Sequence, residues 1–404
     1  MISNKMQDQL NQRSAIRECY GLATKLAEKV GRENVYDFTL GNPNVPAPAS
    51  VNESIKKIVD TTDSVQLHGY MLNAGFPDVR ETVADSINRR FGTNFNGSNI
   101  VMTVGAAGGM NVMFKVLLNP GDEVITFSPF FSEYRNYVTN YDGVLVEVLS
   151  DPKTFMPDVE ALRAAINEKT KVLILNTPNN PTGVVYPESV IKEIADCLRE
   201  ESAKYGHEII IISDEPYREL VYGDIEVPYI TKYYDNTVVS YSYSKSLSLP
   251  GERIGYLVIP DELADSETVK AACGVATRIM GFVNAPAIMQ KVVKENIDAE
   301  VDVEVYNKNR LALYNALTEY GFECVKPDGA FYLFMKTPTE DEREFTDKAR
   351  EYNILVVPCS DFGGKGYVRI AYCVSYDTIE RSLPAFKKLA EFYGLTRLLN
   401  RTVR

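Results

Sequence analysis

The middle of the chain alternates short apolar runs with stretches of helical periodicity. The apolar runs are rich in β-branched residues and are bounded by Pro, Gly, Asn or Asp, as strands usually are. They lie at residues 123–127, 171–176, 208–213 and 237–241, with helical patterns such as 156–167 and 187–205 between them. Strands that are apolar almost throughout suit a sheet that is buried on both faces. The pattern therefore predicts an α/β architecture with a mostly parallel sheet.

The pattern changes from about residue 286 onward. One long charged helix is predicted over roughly residues 292–320, and apolar runs follow at 327–334 and 367–372. This arrangement predicts a smaller α+β domain. The segment up to about residue 48 has no strand–helix unit of its own, and we expect it to pack with the small domain. The predicted division of the chain is therefore 1–48, 49–290 and 291–404.

Composition and charge narrow the range of partners. The chain has 404 residues, 45% of them hydrophobic, which suits a globular protein of one or two domains. The formal net charge of −12 argues against nucleic acid or an anionic membrane as the main partner, because both attract basic surfaces. The polar N-terminus lacks the pattern of a signal peptide, and no apolar run approaches the length of a membrane span. We therefore expect a cytoplasmic protein.

The counts of cysteine and histidine exclude two further kinds of site. The six cysteines are scattered and include no C-x-x-C pair, so we expect neither a disulfide framework nor a metal site. The only two histidines, His68 and His207, leave little room for a histidine-based triad or a zinc centre. Any catalytic chemistry in this chain must therefore be carried by other side chains.

Lys245 is the most informative of these side chains. It follows a β-type run within Ser-Tyr-Ser-Lys-Ser, and a second cation, Arg253, stands eight positions downstream. Small neighbours let a bulky group approach, hydroxyl groups offer hydrogen bonds, and a guanidinium group can hold an anion. A lysine amine in this setting can form a Schiff base with an aldehyde cofactor that carries a phosphate.

Polar clusters follow three of the predicted strands, at residues 176–183, 214–217 and 242–245. In open α/β sheets, ligands bind beyond the carboxyl ends of the strands. Because the carboxyl ends of parallel strands meet at one edge of the sheet, we expect the three clusters to line one site. Agreement between independent strands is stronger support than any single motif.

Each candidate motif also has a purely structural interpretation. The run of small residues 105–109 suits a phosphate at a helix N-terminus or only a tight turn. Asn180 can direct its amide at a ligand oxygen or serve turn chemistry. Asp214 can pair with a ring nitrogen or cap a helix. Arg369, within an apolar strand, can bind a carboxylate or phosphate in a buried site, or lie solvated on an edge strand.

Taken together, these motifs resemble the class I/II aminotransferases, which are pyridoxal-phosphate (PLP) enzymes of fold type I with the aspartate-aminotransferase-like fold. The lysine motif Ser-Tyr-Ser-Lys is followed by Gly-Glu-Arg-Ile-Gly, and the motifs Asn-Asn-Pro-Thr-Gly and Asp-Glu-Pro-Tyr precede it in the family's order. Arg369 follows them, and the resemblance covers nearly the whole chain. It implies an α/β fold with a mostly parallel, seven-stranded type of sheet in a large PLP-binding domain (49–290), plus the smaller α+β domain (291–404).

The resemblance implies catalytic and cofactor-binding roles at the matching positions. Lys245 would form the internal aldimine and shuttle the proton, and Asp214 would pair with the pyridinium nitrogen. Tyr217 and Asn180 would contact the phenolic oxygen of the ring, and Phe131 would stack on its face. The phosphate would be held by Ser242, Arg253 and the backbone at Ala106 and Ala107, with Tyr70 reaching the phosphate of the neighbouring subunit.

The resemblance also implies the substrates and the assembly. Arg369, Asn180 and Gly41 would bind the α-carboxylate of the substrate, and the enzyme would be a homodimer with shared active sites and no metal. The implied reaction moves an amino group from an L-amino acid to a 2-oxo acid in ping-pong order. No basic residue stands near Ala107 to bind a distal carboxylate, so specificity for aspartate stays open. The aromatic residues Phe331 and Tyr332, and those near Phe38, suit an apolar or aromatic side chain instead.

Two other functions share the same motifs. A PLP-dependent C–S β-lyase of the same fold, acting on cysteine conjugates, would use the same residues to hold the ring. A non-catalytic, PLP-binding regulator is the third alternative, although such regulators usually carry an N-terminal DNA-binding domain. The motifs alone do not separate the aminotransferase from the lyase.

Overall fold

The computed structural model describes residues 1–11 and 15–395. These residues form a large α/β part around a seven-stranded sheet and a smaller part around a four-stranded sheet. The α-helices are α1 (Asn4–Asn11), α2 (Ala15–Val30), α3 (Ala49–Thr61), α4 (Ser64–His68), α5 (Pro77–Phe91), α6 (Gly105–Leu117), α7 (Glu133–Asn140), α8 (Val159–Ala165), α9 (Glu188–Tyr205), α10 (Tyr243–Ser246), α11 (Ser266–Ile279), α12 (Ala287–Glu295), α13 (Val303–Glu319), α14 (Glu342–Glu351) and α15 (Tyr376–Phe392). The strands are β1 (Tyr36–Asp37), β2 (Ile100–Thr103), β3 (Glu123–Ser128), β4 (Val144–Leu149), β5 (Thr170–Asn176), β6 (Ile210–Asp214), β7 (Thr237–Ser242), β8 (Gly255–Val258), β9 (Cys324–Val325), β10 (Tyr332–Lys336), β11 (Ile354–Leu355), β12 (Val357–Pro358) and β13 (Tyr367–Ala371).

The large sheet has the strand order β2-β8-β7-β6-β5-β3-β4. The neighbouring pairs from β7 to β4 are parallel, and β8 runs antiparallel to both β2 and β7. The mostly parallel α/β fold that the apolar runs predict is therefore confirmed. The parallel order also brings the carboxyl ends of β5, β6 and β7 to the same edge of the sheet.

Alternate residues of the central strands pack on opposite faces of this sheet. Leu173 and Leu175 of β5 belong to one hydrophobic cluster together with Leu198 of α9. Val172 and Ile174 belong to a second cluster on the other face, where α6 and α11 pack. Burial on both faces explains why these strands are apolar at nearly every position, as expected for parallel sheets covered by helices.

Two strands of the large sheet lack the pattern of a buried parallel strand. β4 lies at the edge of the sheet, where Val144 and Leu149 are exposed. β8 has only four residues and runs antiparallel to its neighbours. Sequence periodicity indicates burial, so a short strand or one that is exposed on one face gives little indication of its presence.

The smaller part contains the antiparallel sheet β12-β13-β10-β9 and a separate hydrophobic core. The single helix predicted over residues 292–320 is wrong, because α12 ends at Glu295 and α13 begins at Val303. The helical conformation is interrupted at the buried Asn296, whose Nδ2 donates to Ser54 Oγ at 2.8 Å. Asp302 then caps α13 by accepting a hydrogen bond from the Glu304 backbone N–H. A local cap such as that of Asp302 competes with a continuous helix.

The N-terminal segment contacts both parts of the molecule. β1 pairs in parallel with β11, which lies in the C-terminal third of the chain. In α1, Lys5 forms an ion pair with Asp142 of the large part at 3.0 Å. The division at residues 48 and 290 stays a prediction.

Burial keeps the described cysteines as thiols. All six are free, and burial raises the pKa of Cys19 to about 11 and that of Cys273 to about 12. In residues 1–11 and 15–395, no helix has the length and apolar character needed to cross a membrane.

Candidate active site

A cavity of about 200 Å³ lies at the carboxyl ends of β5, β6 and β7, beside the N-terminus of α6. It is lined by most of the residues that the sequence analysis singled out, and the polar clusters of three strands meet in it. The predicted site residues in its wall are Ala106, Ala107, Phe131, Asn180, Asp214, Tyr217, Ser242, Lys245 and Arg253.

Lys245 lies in the short helix α10 directly after β7. Ser242 caps this helix by accepting a hydrogen bond from the Ser244 backbone N–H. The amine of Lys245 donates to the Gly41 carbonyl oxygen at 2.7 Å and lies 5.3 Å from the centre of the Phe331 ring. Burial lowers the pKa of Lys245 to about 8, so a substantial share of this amine is neutral just above physiological pH.

Asp214 is the last residue of β6 and has one hydrogen-bonded and one free carboxylate oxygen. Tyr134 Oη donates to Oδ2 at 2.5 Å, whereas Oδ1 is buried and has no partner within the described part of the chain. Burial raises the pKa of Asp214 to about 7, and the hydrogen bond from Tyr134 opposes this rise. Asp214 ends a strand and does not cap a helix, so the structural interpretation of this residue is wrong.

The turn after β5 is fixed by its own asparagines. Asn176 Oδ1 accepts the Asn180 backbone N–H at 2.8 Å, and Asn176 Nδ2 donates to the Asp214 carbonyl oxygen at 2.9 Å. Asn180 then lies with its Nδ2 atom 3.4 Å from Tyr217 Oη, and Tyr217 Oη lies 3.0 Å from Tyr332 Oη. The amide and the two hydroxyl groups form one chain of polar contacts at the cavity.

Arg369 is 2% exposed and lies on β13, between β12 and β10, so it is not a solvated residue on an edge strand. Its Nη1 donates to Asn180 Oδ1 at 3.1 Å and its Nη2 to the Thr39 carbonyl oxygen at 2.9 Å. The guanidinium group lies 4.4 Å from the Tyr332 ring centre. Its buried Nε has no hydrogen-bond partner among the described residues. Among those residues, the guanidinium group also forms no ion pair with a carboxylate. A buried guanidinium in this state can bind a carboxylate.

Arg253 lies against the N-terminus of α6. Its Nη1 donates to the Pro250 carbonyl oxygen at 2.9 Å and its Nη2 to that of Val104 at 3.3 Å. Gly105 has a φ of 78°, and a Cβ atom there would lie 2.8 Å from Arg253 Nη2. The glycine therefore lets the guanidinium approach the first turn of α6, where the backbone N–H groups of Ala106 and Ala107 lie. A cation beside a helix N-terminus is suited to a phosphate.

Gly41 and Tyr70 are predicted site residues that do not line the cavity wall. The carbonyl oxygen of Gly41 holds the Lys245 amine, and the Tyr332 hydroxyl group occupies the space that a Cβ atom of residue 41 would need. Tyr70 is 93% exposed and lies outside the cavity of its own chain. Gly41 and Arg369 also lie outside the cavity wall, but they contact its residues Lys245 and Asn180, whereas Tyr70 shows no such contact within the described part of the chain.

Sequence reasoning assigned no role to three residues that shape the cavity. Tyr134 stands three positions after Phe131, and Asn176 pairs in register with Asp214 across β5 and β6. Tyr137 lines the wall beside Ala107. The position of Asn176 at the end of a predicted buried strand could have identified it, since the neighbouring strand ends at Asp214. Nothing in the local sequence indicates where the side chain of Tyr134 is directed.

The family model of aminotransferase class I and II matches residues 33–386 of the chain. The chain belongs to the class I and II aminotransferases. Enzymes of this class use PLP, and this aminotransferase is a PLP-dependent transaminase that acts on amino acids and keto acids. It has the fold of the aspartate aminotransferases.

Its relatives cover almost its entire length. An aminotransferase from Eubacterium rectale superposes with a TM-score of 0.94 at 47% identity, covering 97% of this chain and 99% of the other. The aspartate/prephenate aminotransferase of Thermus thermophilus is 31% identical over 362 residues, which are 87% of this chain and 90% of that protein. The aromatic-amino-acid aminotransferase 2 of Thermococcus litoralis is 30% identical over 390 residues, 93% of this chain and 95% of that protein.

The cavity of this aminotransferase fits the cofactor. PLP carries a ring nitrogen, a phosphate and an aldehyde, and the cavity offers a different group to each. Asp214 Oδ1 is a buried acceptor without a partner in residues 1–11 and 15–395, Arg253 lies at the N-terminus of α6, and burial lowers the pKa of the Lys245 amine. The donor set therefore matches the chemistry of the cofactor.

Proposed function

We propose that this aminotransferase transfers the amino group of an L-amino acid to a 2-oxo acid in two successive half-reactions, with Lys245 as the amine that bonds to the cofactor and carries the proton. One observation carries this proposal. The Lys245 amine, the free oxygen of Asp214 and the partly unpaired guanidinium of Arg369 surround one cavity and its rim. Each has the chemistry of one step: proton transfer, charge stabilisation and carboxylate binding.

We assign the cofactor contacts from these positions. Asp214 Oδ1 would accept from the ring nitrogen, and Tyr217 Oη and Asn180 Nδ2 would face the phenolic oxygen. Phe131 would cover one face of the ring. The phosphate would lie among Ser242, Arg253 and the backbone N–H groups of Ala106 and Ala107. When bound, PLP supplies an electron sink for the electron pair that remains after an α-proton leaves.

Lys245 is suited to move that proton. A general base works best when its pKa lies near the working pH, and burial lowers the pKa of this amine to about 8. Arg369 and Arg253 add to the lowering because like charges disfavour the ammonium form. The Gly41 carbonyl oxygen holds Nζ in place at 2.7 Å. Lys245 can therefore take a proton from a substrate carbon and return it to a neighbouring atom.

A carboxylate-binding site shared by both substrates supports the proposed ping-pong order. Arg369 and Asn180 lie in contact, and they would bind the α-carboxylate of the amino acid first and that of the oxo acid afterwards. Because both substrates use the same guanidinium, they cannot occupy the site together. We expect parallel lines in double-reciprocal plots of rate against the two substrate concentrations.

Replacing Arg369 by Ala should raise the half-saturating concentration of the amino acid by about 100-fold, which is the size expected for a buried, charge-assisted carboxylate contact. The maximal rate should fall less, because the guanidinium does not hold the reacting proton. Stopped-flow measurement of the half-reaction separates the two quantities. Arg369→Lys, which keeps the charge but loses the planar fork, should recover part of the affinity. Unchanged amino-acid binding in Arg369→Ala would remove this residue from the site.

Incubation with one amino acid and no oxo acid tests the proposed function. An aminotransferase should convert one equivalent of amino acid per active site and then stop, with the cofactor left in its amine form. A C–S β-lyase should instead release pyruvate and ammonia continuously from a cysteine conjugate. A screen of all amino acids, read by the cofactor spectrum, also identifies the donor. Sustained pyruvate and ammonia release without oxo acid would contradict the aminotransferase proposal.

We also propose a homodimer in the cytoplasm with shared active sites. Tyr70 is almost fully exposed, and exposed apolar residues, Val65 and Leu72, lie on the same stretch of chain. An exposed apolar stretch around a tyrosine suits an interface through which Tyr70 reaches the partner subunit's phosphate site. A mass of one chain in sedimentation equilibrium would contradict the dimer.

A further inference from the structure

Tyr134 is a buried residue of α7 whose hydroxyl group contacts Asp214. Its Oη donates to Asp214 Oδ2 at 2.5 Å, and both side chains are buried. Tyr134 is not among the residues that line the cavity. The hydrogen bond therefore reaches the carboxylate from a residue outside the cavity wall.

The ring of Tyr134 is held by aromatic neighbours on its own segment. Phe130 stacks on it at a centroid distance of 6.5 Å, and Phe131 meets it edge-on at 5.6 Å with an interplanar angle of 88°. These rings pack against Tyr134, whose hydroxyl group points at Asp214. Because Phe131 also lines the cavity, the two aromatic rings fix the wall and the hydrogen bond together.

The other titratable groups around Asp214 do not stabilise its charge. The neighbouring Glu215 raises the pKa of Asp214 and is itself engaged by Arg218 and Ser213. Burial raises the pKa of both Tyr137 and Tyr217, and the nearby charge of Asp214 adds to the rise in each. Neither donates to the carboxylate. Within the described chain, Tyr134 is thus the residue that hydrogen-bonds to this carboxylate.

A buried carboxyl group tends toward its neutral form, because burial disfavours charge. A neutral acid at position 214 would be a poor partner for a protonated ring nitrogen. A hydrogen bond donated to the charged form favours that form. It also occupies Oδ2, which leaves Oδ1 as the carboxylate oxygen without a partner among the described residues.

We propose that Tyr134 is a positioning residue that keeps Asp214 ionised and holds its Oδ1 atom toward the ring nitrogen of the cofactor. This inference rests on the proposed function for its use of Asp214, and it adds a residue to the machinery of the same site. The phenol acts only through the carboxylate. Its removal should change the titration of Asp214 and leave substrate binding almost unaltered.

Tyr134→Phe in the full-length chain tests the hydrogen bond directly. The protein is labelled with ¹³C at the aspartate carboxyl carbons, and Asp214→Asn identifies the signal of Asp214. In the chain from which cofactor has been removed, the Asp214 pKa should rise by about one to two pH units in Tyr134→Phe, the size expected for a hydrogen bond to a charged group. Tyr141→Phe is the matched control, since the Tyr141 hydroxyl lies 3.3 Å from Asn111 and not at Asp214.

The cofactor-loaded enzyme provides a second measurement. At pH 7 the single-turnover rate of the amino-acid half-reaction should fall about tenfold in Tyr134→Phe, in proportion to the loss of ionised Asp214. The amino-acid concentration at half-maximal rate should stay within about twofold, because Tyr134 does not touch the substrate site. In the Asp214→Asn background, the change at Tyr134 should have no further effect on the rate.

An unchanged Asp214 pKa in a folded Tyr134→Phe variant would overturn the inference, whatever the activity. A shifted pKa in a chain that performs no half-reaction would support the hydrogen bond and contradict the proposed function instead. If Tyr134→Phe does not fold, difluorotyrosine at position 134 keeps the ring and makes the hydroxyl a stronger donor. The Asp214 pKa should then move downward, and an unmoved value would equally overturn the inference.

Discussion

Lys245→Ala should lose all measurable turnover, a fall of at least about 10⁴-fold, because the proposed function gives one amine both the bond to the cofactor and the transfer of the proton. The variant should also lose the absorbance band, near the visible edge, of the lysine-bound cofactor. Both losses have the same cause, so they should occur together. This is the largest effect that we expect from any single substitution in the chain.

The surroundings of Lys245 explain why no neighbour can replace it. Cations at Arg253 and Arg369 lie close enough to lower its pKa, but a guanidinium group is not deprotonated near neutral pH. The thiol of Cys373 lies close enough to influence the pKa of Lys245, but burial raises the pKa of this thiol to about 12. A protonated thiol is a poor base. In the proposed reaction, the proton transfer would therefore depend on a single side chain.

The controls separate the loss of chemistry from the loss of structure. Lys192→Ala removes an exposed lysine that pairs with Glu188 on α9, and it should keep both band and turnover. Cofactor binding by Lys245→Ala can be followed with the amine form, which needs no bond to lysine. Slow rescue by added methylamine would support the role of the missing amine. Full activity in a folded Lys245→Ala variant would end the proposal.

Much of the fold follows from local pattern. The central strands are apolar on both faces because helices cover both, and the alternation of strands with helices indicates parallel order. The break between α12 and α13 could not be predicted in the same way. Charged helical periodicity continues through residues 296–302, and the break depends on a contact between Asn296 and Ser54, which are far apart in sequence.

The residues of the candidate site also differ in how far the sequence predicts them. Lys245, Asp214 and Asn180 each follow a predicted strand, so the sheet topology alone brings them together. Arg369 was open to two interpretations, because a single strand cannot show whether its neighbours cover it. β12 and β10 pair with β13 on both sides and bury it. Tyr134 is recognised only when its hydroxyl group is seen at Asp214.

Local charge at the site opposes the charge of the whole chain. The net charge is −12, yet Arg253 and Arg369 lie close enough to Lys245 for their charges to add to burial in lowering its pKa. Substrates and cofactor are anions, and a cationic pocket in an acidic protein attracts them selectively. Asp214 is the exception, a carboxylate at the wall of this pocket, which is useful only if its ligand is a cation. A protonated ring nitrogen is such a ligand.

Asp214→Asn should lower turnover by about 10³-fold while it stabilises the cofactor-free protein. Asparagine has the same shape but cannot hold a positive charge on the ring nitrogen, and a loss of this size is typical of a preorganised electrostatic group. Stability changes in the opposite sense because the variant no longer buries a charge. The pKa of Asp214 rises on folding from 3.8 to about 7, a difference that corresponds to about 4 kcal/mol.

The raised pKa of Asp214 determines how the stability of the wild-type protein changes with pH. A carboxyl group whose folded pKa is raised contributes stability that is complete below about pH 4 and is lost as the pH rises through about 7. The difference in unfolding free energy between Asp214→Asn and wild type should therefore grow from pH 4 to pH 7 and level off above it. Denaturant unfolding of the cofactor-free proteins measures this difference. Asp224→Asn, an exposed loop substitution, should show no such slope. If the wild-type protein were as stable as Asp214→Asn at pH 8, burial of this carboxylate would not destabilise the fold. Full turnover in the variant would show that Asp214 takes no part in the reaction.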